Sequence, residues 1–168
     1  SVSVTQQTHV YNGSPITLGT GEYNIAGLTE NTDYTVTYSN NTDAGNQAVI
    51  TATGTGNYTG QITGNFTITP LDINDSSISI SGIVDKSYTG AAQTQDNLSV
   101  SLNGNKLDSS SYSVAYSNNV NVGMATITIS GRGNLTGSRN EQFEIHAKSL
   151  EGLTYIVGGK ACTGSGPV

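Results

Sequence analysis

One pattern is written twice in this chain, and that duplication constrains the fold more than any single motif. The first copy runs Tyr34, Val36, Tyr38, Ser39, Asn40, Asn41 and Gly45, then Gly56-Asn57-Tyr58-Thr59-Gly60, then Phe66 and Ile68. The second runs Tyr112, Val114, Tyr116, Ser117, Asn118, Asn119 and Gly123, then Gly133-Asn134-Leu135-Thr136-Gly137, then Phe143 and Ile145. The offset is 112 − 34 = 78 at the tyrosines and 125 − 48 = 77 from Ala48 and Ala125 onward, so one residue is lost just after Gly45 and Gly123. A repeat of this period has to be recognised before any fold is assigned. It divides the 168 residues into copies at 1–70 and 71–148 and a partial third at 149–168. Domains of roughly 75 residues bury only about 60–65% of their unfolded surface, so each core is modest and contacts between neighbours add to it.

Within each copy the apolar residues alternate. Tyr34, Val36 and Tyr38 fall on one face, with Thr35, Thr37 and Ser39 on the other. Period two is the mark of a half-buried strand. The same alternation predicts strands at Val2 to Val10, Ile16 to Leu18, Tyr23 to Ile25, Ala48 to Ala52 and Ile62 to Ile68. In the second copy it predicts strands at Ile78 to Ile83, Leu98 to Leu102, Tyr112 to Tyr116, Ala125 to Ile129 and Phe143 to Ile145. Asn103-Gly104 is the dipeptide that favours a two-residue hairpin turn. Pro70-Leu71-Asp72 reads as a short linker, because Pro cannot donate to a ladder. Six or seven short strands per copy and no helical periodicity predict an all-β chain. The expected form is two tandem small immunoglobulin-like β-sandwiches rather than up-and-down barrels. Lys160-Ala161-Cys162-Thr163-Gly164 matches Lys86-Ser87-Tyr88-Thr89-Gly90, and Gly164 to Pro167 is similar to Gly13 to Pro15. The tail is therefore expected to supply one extra strand, the first of a third repeat, added to a sheet of the second copy or of a neighbouring chain.

The net charge of −6 is unevenly spread, and residues 1–70 carry Glu22, Glu30, Asp33 and Asp43 with no Lys or Arg. Such a surface repels a phosphate backbone, which argues against nucleic-acid binding. No basic amphipathic segment points to a membrane surface, and no apolar run approaches a membrane span. The single cysteine allows no intrachain disulfide. Thr, Ser, Asn, Gly and Tyr dominate, as expected of an extracellular β protein, and the lack of a disulfide fits a bacterial surface protein, or a cytosolic one, better than a secreted eukaryotic module.

Ile80-Ser81-Gly82-Ile83, Lys86-Ser87-Tyr88-Thr89-Gly90, Tyr112 to Asn119, Gly133 to Gly137 and Phe143 to Ile145 together carry a resemblance. The chain resembles the MBG/YDG-type immunoglobulin-like tandem repeats of bacterial adhesins and secreted wall proteins. That resemblance spans both copies and the tail, and departs from the usual Tyr at Leu135 and Cys162. It implies a non-catalytic stalk segment at the cell surface, with neighbouring repeats as its direct partners. A host or cell-wall glycan or a matrix protein is met through the parent protein. It implies no binding residue of its own. A glycan- or protein-binding accessory module is the alternative.

Candidate chemistry is sparse. His9 and His146 stand at different places in different copies and are expected as surface histidines; neither has a nucleophile in a catalytic arrangement. The acidic residues are scattered and form no expected carboxylate pair for glycoside cleavage, so no catalytic residue is expected. No cofactor is expected, and nothing has the spacing of a zinc site. Asp72, Asn74 and Asp75 at the linker are the calcium candidates, since oxygen ligands there would stiffen the joint. They are equally ordinary turn formers. A Lys–Asn isopeptide bond has Lys86, Lys106 and Lys148 to draw on in the second copy only. Cys162 is expected as a small buried apolar group. Tyr34, Tyr38, Tyr112 and Tyr116 are expected to pack in the core with hydroxyls at its rim, and Tyr58 is the best candidate for an exposed aromatic. The sequons at Asn57, Asn97 and Asn134 are read as composition.

Overall fold

The computed structural model describes residues 1–151 and 154–163. They form an all-β chain with one 3-10 turn, Ser109–Ser111, and no α-helix among the described residues. Two compact units divide it. The first comprises Ser1–Ser81, Ser99–Val114 and Ile129–Arg139; the second comprises Gly82–Leu98, Ala115–Thr128 and Asn140–Val168.

The first unit holds the best-defined core. Strands β4 (Tyr34–Ser39), β5 (Gly45–Gly54) and β6 (Gln61–Thr69) pair antiparallel, and β2 (Thr8–Val10) joins β6 in parallel, giving the order β2-β6-β5-β4. The register places Val36 opposite Ala52 and Ala48 opposite Phe66. Ala48, Ile50, Ala52, Phe66 and Ile68 are all buried, so the period-two face read from the sequence is the face that packs. Burying one such aliphatic side chain stabilises by about 1.5–3 kcal/mol. Tyr34 of β4 and Val2, Ile16, Leu18 and Ile25 from outside the sheet complete the core. The sheet register shifts between Gly45 and Ala48. That irregularity falls where the first copy has one residue more than the second, as a bulge absorbs an extra residue without turning the strand over.

Several expected strands are divided. The first strand is two: β1 (Ser3–Val4) pairs β3 (Tyr23–Asn24), while β2 pairs β6. Between them the Thr5 and Gln6 N–H groups both donate to the Glu22 carbonyl, so the chain changes partner there. In the second copy β8 (Ile78–Ser81) pairs β10 (Ser99–Leu102) and ends before Ile83, and β9 (Lys86–Ser87) pairs β15 (Ser138–His146) in parallel. Ile16 to Leu18 is not a strand. Its backbone bonds go to the Asn41 carbonyl and to the Tyr38 hydroxyl instead of to a ladder. Asn103 and Gly104 have φ of 50° and 81°, the pair of positive values that a two-residue turn between β10 and β11 (Asn105–Lys106) requires. Strands β12 (Tyr112–Ser117), β13 (Gly123–Gly131), β15 and β9 form a sheet in that order, with Ala125, Ile127, Ile129, Phe143 and Ile145 buried.

Two expectations about the joints are corrected. Leu71–Asp72 is not an unpaired linker but a strand, β7, parallel to β14 (Leu135–Thr136). Among the described residues the tail holds two strands where one was expected, and neither joins a sheet of the second copy. β16 (Thr154–Val157) and β17 (Lys160–Thr163) pair with each other as a two-stranded hairpin. Gly158 and Gly159, both at positive φ, supply its turn. The Gly164 to Pro167 match and the Cys162 side chain lie outside what the structure describes.

Candidate functional site

The duplicated motif builds the same scaffold in each unit. In the first, the Tyr38 hydroxyl accepts from Leu18 N–H at 3.1 Å, and the Asn41 amide donates to the Ile16 carbonyl at 2.7 Å. In the second, the Tyr116 hydroxyl accepts from Gln95 N–H at 3.0 Å, and the Asn119 amide donates to the Gln93 carbonyl at 2.7 Å. Tyr38 and Tyr116 stand edge-on to Phe66 and Phe143. These tyrosines and asparagines are therefore structural: their polar ends satisfy the backbone of a segment that has no ladder. Tyr34 and Tyr112 are buried as expected. Burial, then the nearby Glu30 carboxylate, pushes the Tyr34 hydroxyl above its ordinary range.

The Gly-rich loops also match bond for bond. Gly54 N–H donates to the Gly60 carbonyl at 2.9 Å, and Gly131 N–H to that of Gly137 at 2.9 Å. Thr55 N–H reaches the Asp33 carbonyl and Arg132 N–H that of Ser111, each at 2.8 Å. Their surroundings differ. Around the second loop, Leu71 N–H donates to the Asn134 carbonyl at 3.0 Å and Ile73 N–H to that of Thr136 at 2.9 Å. Leu135 is consequently 3% exposed and Ile73 wholly buried. The Asn134 side chain accepts from Ala44 N–H at 2.7 Å and donates to the Asp43 carboxylate at 2.8 Å. Around the first loop no strand pairs with residues 57–59 among the described residues. Tyr58 is 44% exposed there and Ile62 38%. Beside them lies a groove of about 260 Å³ whose apolar wall is Ile25, Leu28, Tyr34, Ala52, Tyr58 and Ile62, with Asp33, Thr59 and Gln61 also lining it. This half-open apolar trough with one exposed aromatic and an unpaired backbone edge is the candidate binding feature. Sequence reasoning found Tyr58 but not the groove; the signal was the Tyr58/Leu135 difference at equivalent places.

Other expected positions are accounted for locally. Asp72 accepts from Asn74 N–H and Nδ2, both at 2.9 Å; Asp75 accepts from Ser77 N–H at 2.8 Å and Oγ at 2.6 Å. These bonds hold both carboxyls below the usual carboxylate range, that of Asp72 chiefly through the Asn74 backbone and that of Asp75 chiefly through the Ser77 hydroxyl. The three calcium candidates thus serve their own turns, and no group of three His, Cys, Asp or Glu gathers among the described residues. Lys86 pairs with Asp96 at 3.3 Å, while Lys106 and Lys148 are exposed. His9 is half-buried, not freely exposed: its ring stands edge-on to Phe66 at 5.7 Å and its buried Nε2 has no hydrogen-bond partner among the described residues. His146 is exposed, 3.8 Å from Asp85 and 3.6 Å from Glu144.

Neither a family model nor any curated protein matches this chain.

Proposed function

We propose that this chain is a non-catalytic stalk segment of a bacterial cell-surface or secreted adhesin-like protein. Its immunoglobulin-like repeats are bounded at 1–70 and 71–148, with a partial third after them. One observation supports the reading most directly: the segment joining the two sequence copies is itself hydrogen-bonded. Leu71 and Ile73 are tied to the Asn134 and Thr136 carbonyls, and Asn134 also grips Asp43 and Ala44. The Leu71 and Ile73 bonds tie the opening of the second copy to its own loop, and the Asn134 side chain ties that loop to the first copy; polar groups used in this way serve a spacer and are not free for a ligand. Tyr34 and Tyr112 are buried and Tyr38 and Tyr116 bond to backbone N–H groups, which leaves Tyr58 and Tyr88 as the exposed tyrosines among the described residues.

Single-molecule pulling tests this. Two serial modules of roughly 75 residues predict two unfolding steps, each lengthening the chain by roughly 250 Å at about 3.3–3.6 Å per residue. One step of twice that length removes the reading. The exposed Tyr58 beside an apolar groove favours a second reading, an accessory module that binds a glycan or protein. A glycan and matrix-protein array separates the two: a hit lost in Tyr58→Ala supports the module, and a blank array the spacer.

A further inference from the structure

We propose that the groove at residues 54–62 is a receptor for an extended peptide segment of Leu-Asp-Ile type, laid parallel to residues 57–59 as Leu71 to Ile73 lie along residues 134–136 of their own copy. The chain carries its own template. In the second copy, Leu71–Asp72 pairs in parallel with Leu135–Thr136, and the next residue, Ile73, is buried with its N–H on the Thr136 carbonyl. The first copy presents the same loop with the same internal bonds, and the Asn57 and Thr59 carbonyls stand where those of Asn134 and Thr136 stand. An unpaired edge over an apolar trough is what strand addition uses: backbone bonds give affinity and alternate side chains fill pockets. The trough's aliphatic and aromatic lining fits Leu and Ile at alternate positions, with Asp between them pointing to solvent. Gly60 matches Gly137, where an added Cβ would stand 2.8 Å from an Asp72 carboxylate oxygen, so a Cβ-free residue stands at both places where this Asp passes. Asn57 completes the match. Its counterpart Asn134 holds a turn of the adjoining copy through one acceptor and one donor, and Asn57 is exposed with both available.

The inference rests on reading the two copies as serial modules, and the experiment separates the two. The intact chain is titrated with a capped synthetic peptide of the sequence Thr69 to Asp75, and amide resonances are followed. The expected result is a saturable shift confined to residues 25–34 and 54–62. A peptide with Asp in place of both Leu71 and Ile73 binds at least tenfold more weakly, and so does the native peptide to the Ile62→Asp chain. No saturable shift at millimolar peptide, or a shift elsewhere, overturns the proposal. Shifts in the groove that grow with the chain's own concentration, need no peptide and persist in the Leu71→Asp chain assign it to another surface of a second copy instead, and likewise overturn it. In parallel, Leu71→Asp is introduced into the chain itself. If the resonances of residues 134–136 then move and the peptide still does not bind, only the receptor proposal fails. If they do not move, the serial-module reading fails with it.

Discussion

Ile73 tests whether the connector belongs to a core. The sequence places it just after a Pro-containing linker, where an exposed residue replaced by Ala changes stability by less than about 0.5 kcal/mol. In the structure its side chain is 0% exposed and its N–H is bonded to the Thr136 carbonyl at 2.9 Å. Ile73→Ala keeps that backbone bond and removes three buried carbons. Truncations of this kind cost about 2–5 kcal/mol, the spread reflecting how far the surroundings close on the cavity. A two-residue strand pair has little beyond it to collapse, so a value near the middle, about 3 kcal/mol, is expected. With a urea m-value of about 1.5 kcal/mol per molar for a unit of this size, the midpoint falls by about 2 M. Ile73→Val, which leaves most of the volume, falls by a third of that or less. Urea titration followed by circular dichroism reads both. A shift under about 0.3 M for Ile73→Ala would mean that the connector contributes no core, and would refute the account of the joint given above.

Asn134→Ala removes one acceptor and one donor at the contact with Asp43 and Ala44, and lowers the same midpoint by the equivalent of about 1 kcal/mol. Asn57→Ala, at the equivalent place with no side-chain partner among the described residues, leaves it unchanged; equal effects would contradict the asymmetry between the loops. At high pH the first copy loses stability. Tyr23, whose hydroxyl donates to Glu30 at 2.5 Å, and also Tyr34 and Tyr38 are all held above the ordinary value of 10.0, chiefly by burial. Each stays protonated longer folded than unfolded, so stability is full below pH 10 and declines as pH rises through the folded values. Chemical denaturation from pH 8 to pH 11 reads the decline, which is shallower in Tyr23→Phe; a flat profile in the unsubstituted chain refutes the assignment.

What the sequence made legible follows from periodicity. Where one face is buried, as at Ala48 to Ile50, alternation reports the fold directly, and the one-residue change of offset falls where the register shifts between Gly45 and Ala48. Periodicity says nothing where side chains replace the ladder. Ile16 to Leu18 alternates like a strand, yet Asn41 and Tyr38 take its backbone groups. It also fails where a segment is too short to show a period, so Leu71–Asp72 read as linker although it is paired. The candidate groove was half visible. Tyr58 stood out as the aromatic without a tyrosine counterpart, but the reason Leu135 replaces it is a contact made by residues more than sixty positions earlier. His9 was misplaced because a strand residue beside Thr and Gln gives no sign that Phe66 lies against it.

The division of the second copy's first strand into β8 and β9 turns on Gly82, and a substitution there separates two costs that usually come together. Gly82 has φ of 78°, and a Cβ on it would lie 1.8 Å from the Asn97 carbonyl oxygen. Gly104 has nearly the same φ, 81°, with nothing within 4 Å of its Cβ position. Gly104→Ala therefore carries only the penalty of a left-handed L-residue, about 1–2 kcal/mol. Gly82→Ala carries that and a clash with backbone that no side-chain rotation relieves. Its added cost resembles overpacking at the upper end, another 1–3 kcal/mol or more. Paired urea titrations should place Gly82→Ala at least twice as far below the parent as Gly104→Ala. Equal losses would mean that the chain can leave Asn97 freely at this point, and that the passage from β8 to β9 is a hinge, not a fixed crossing between sheets.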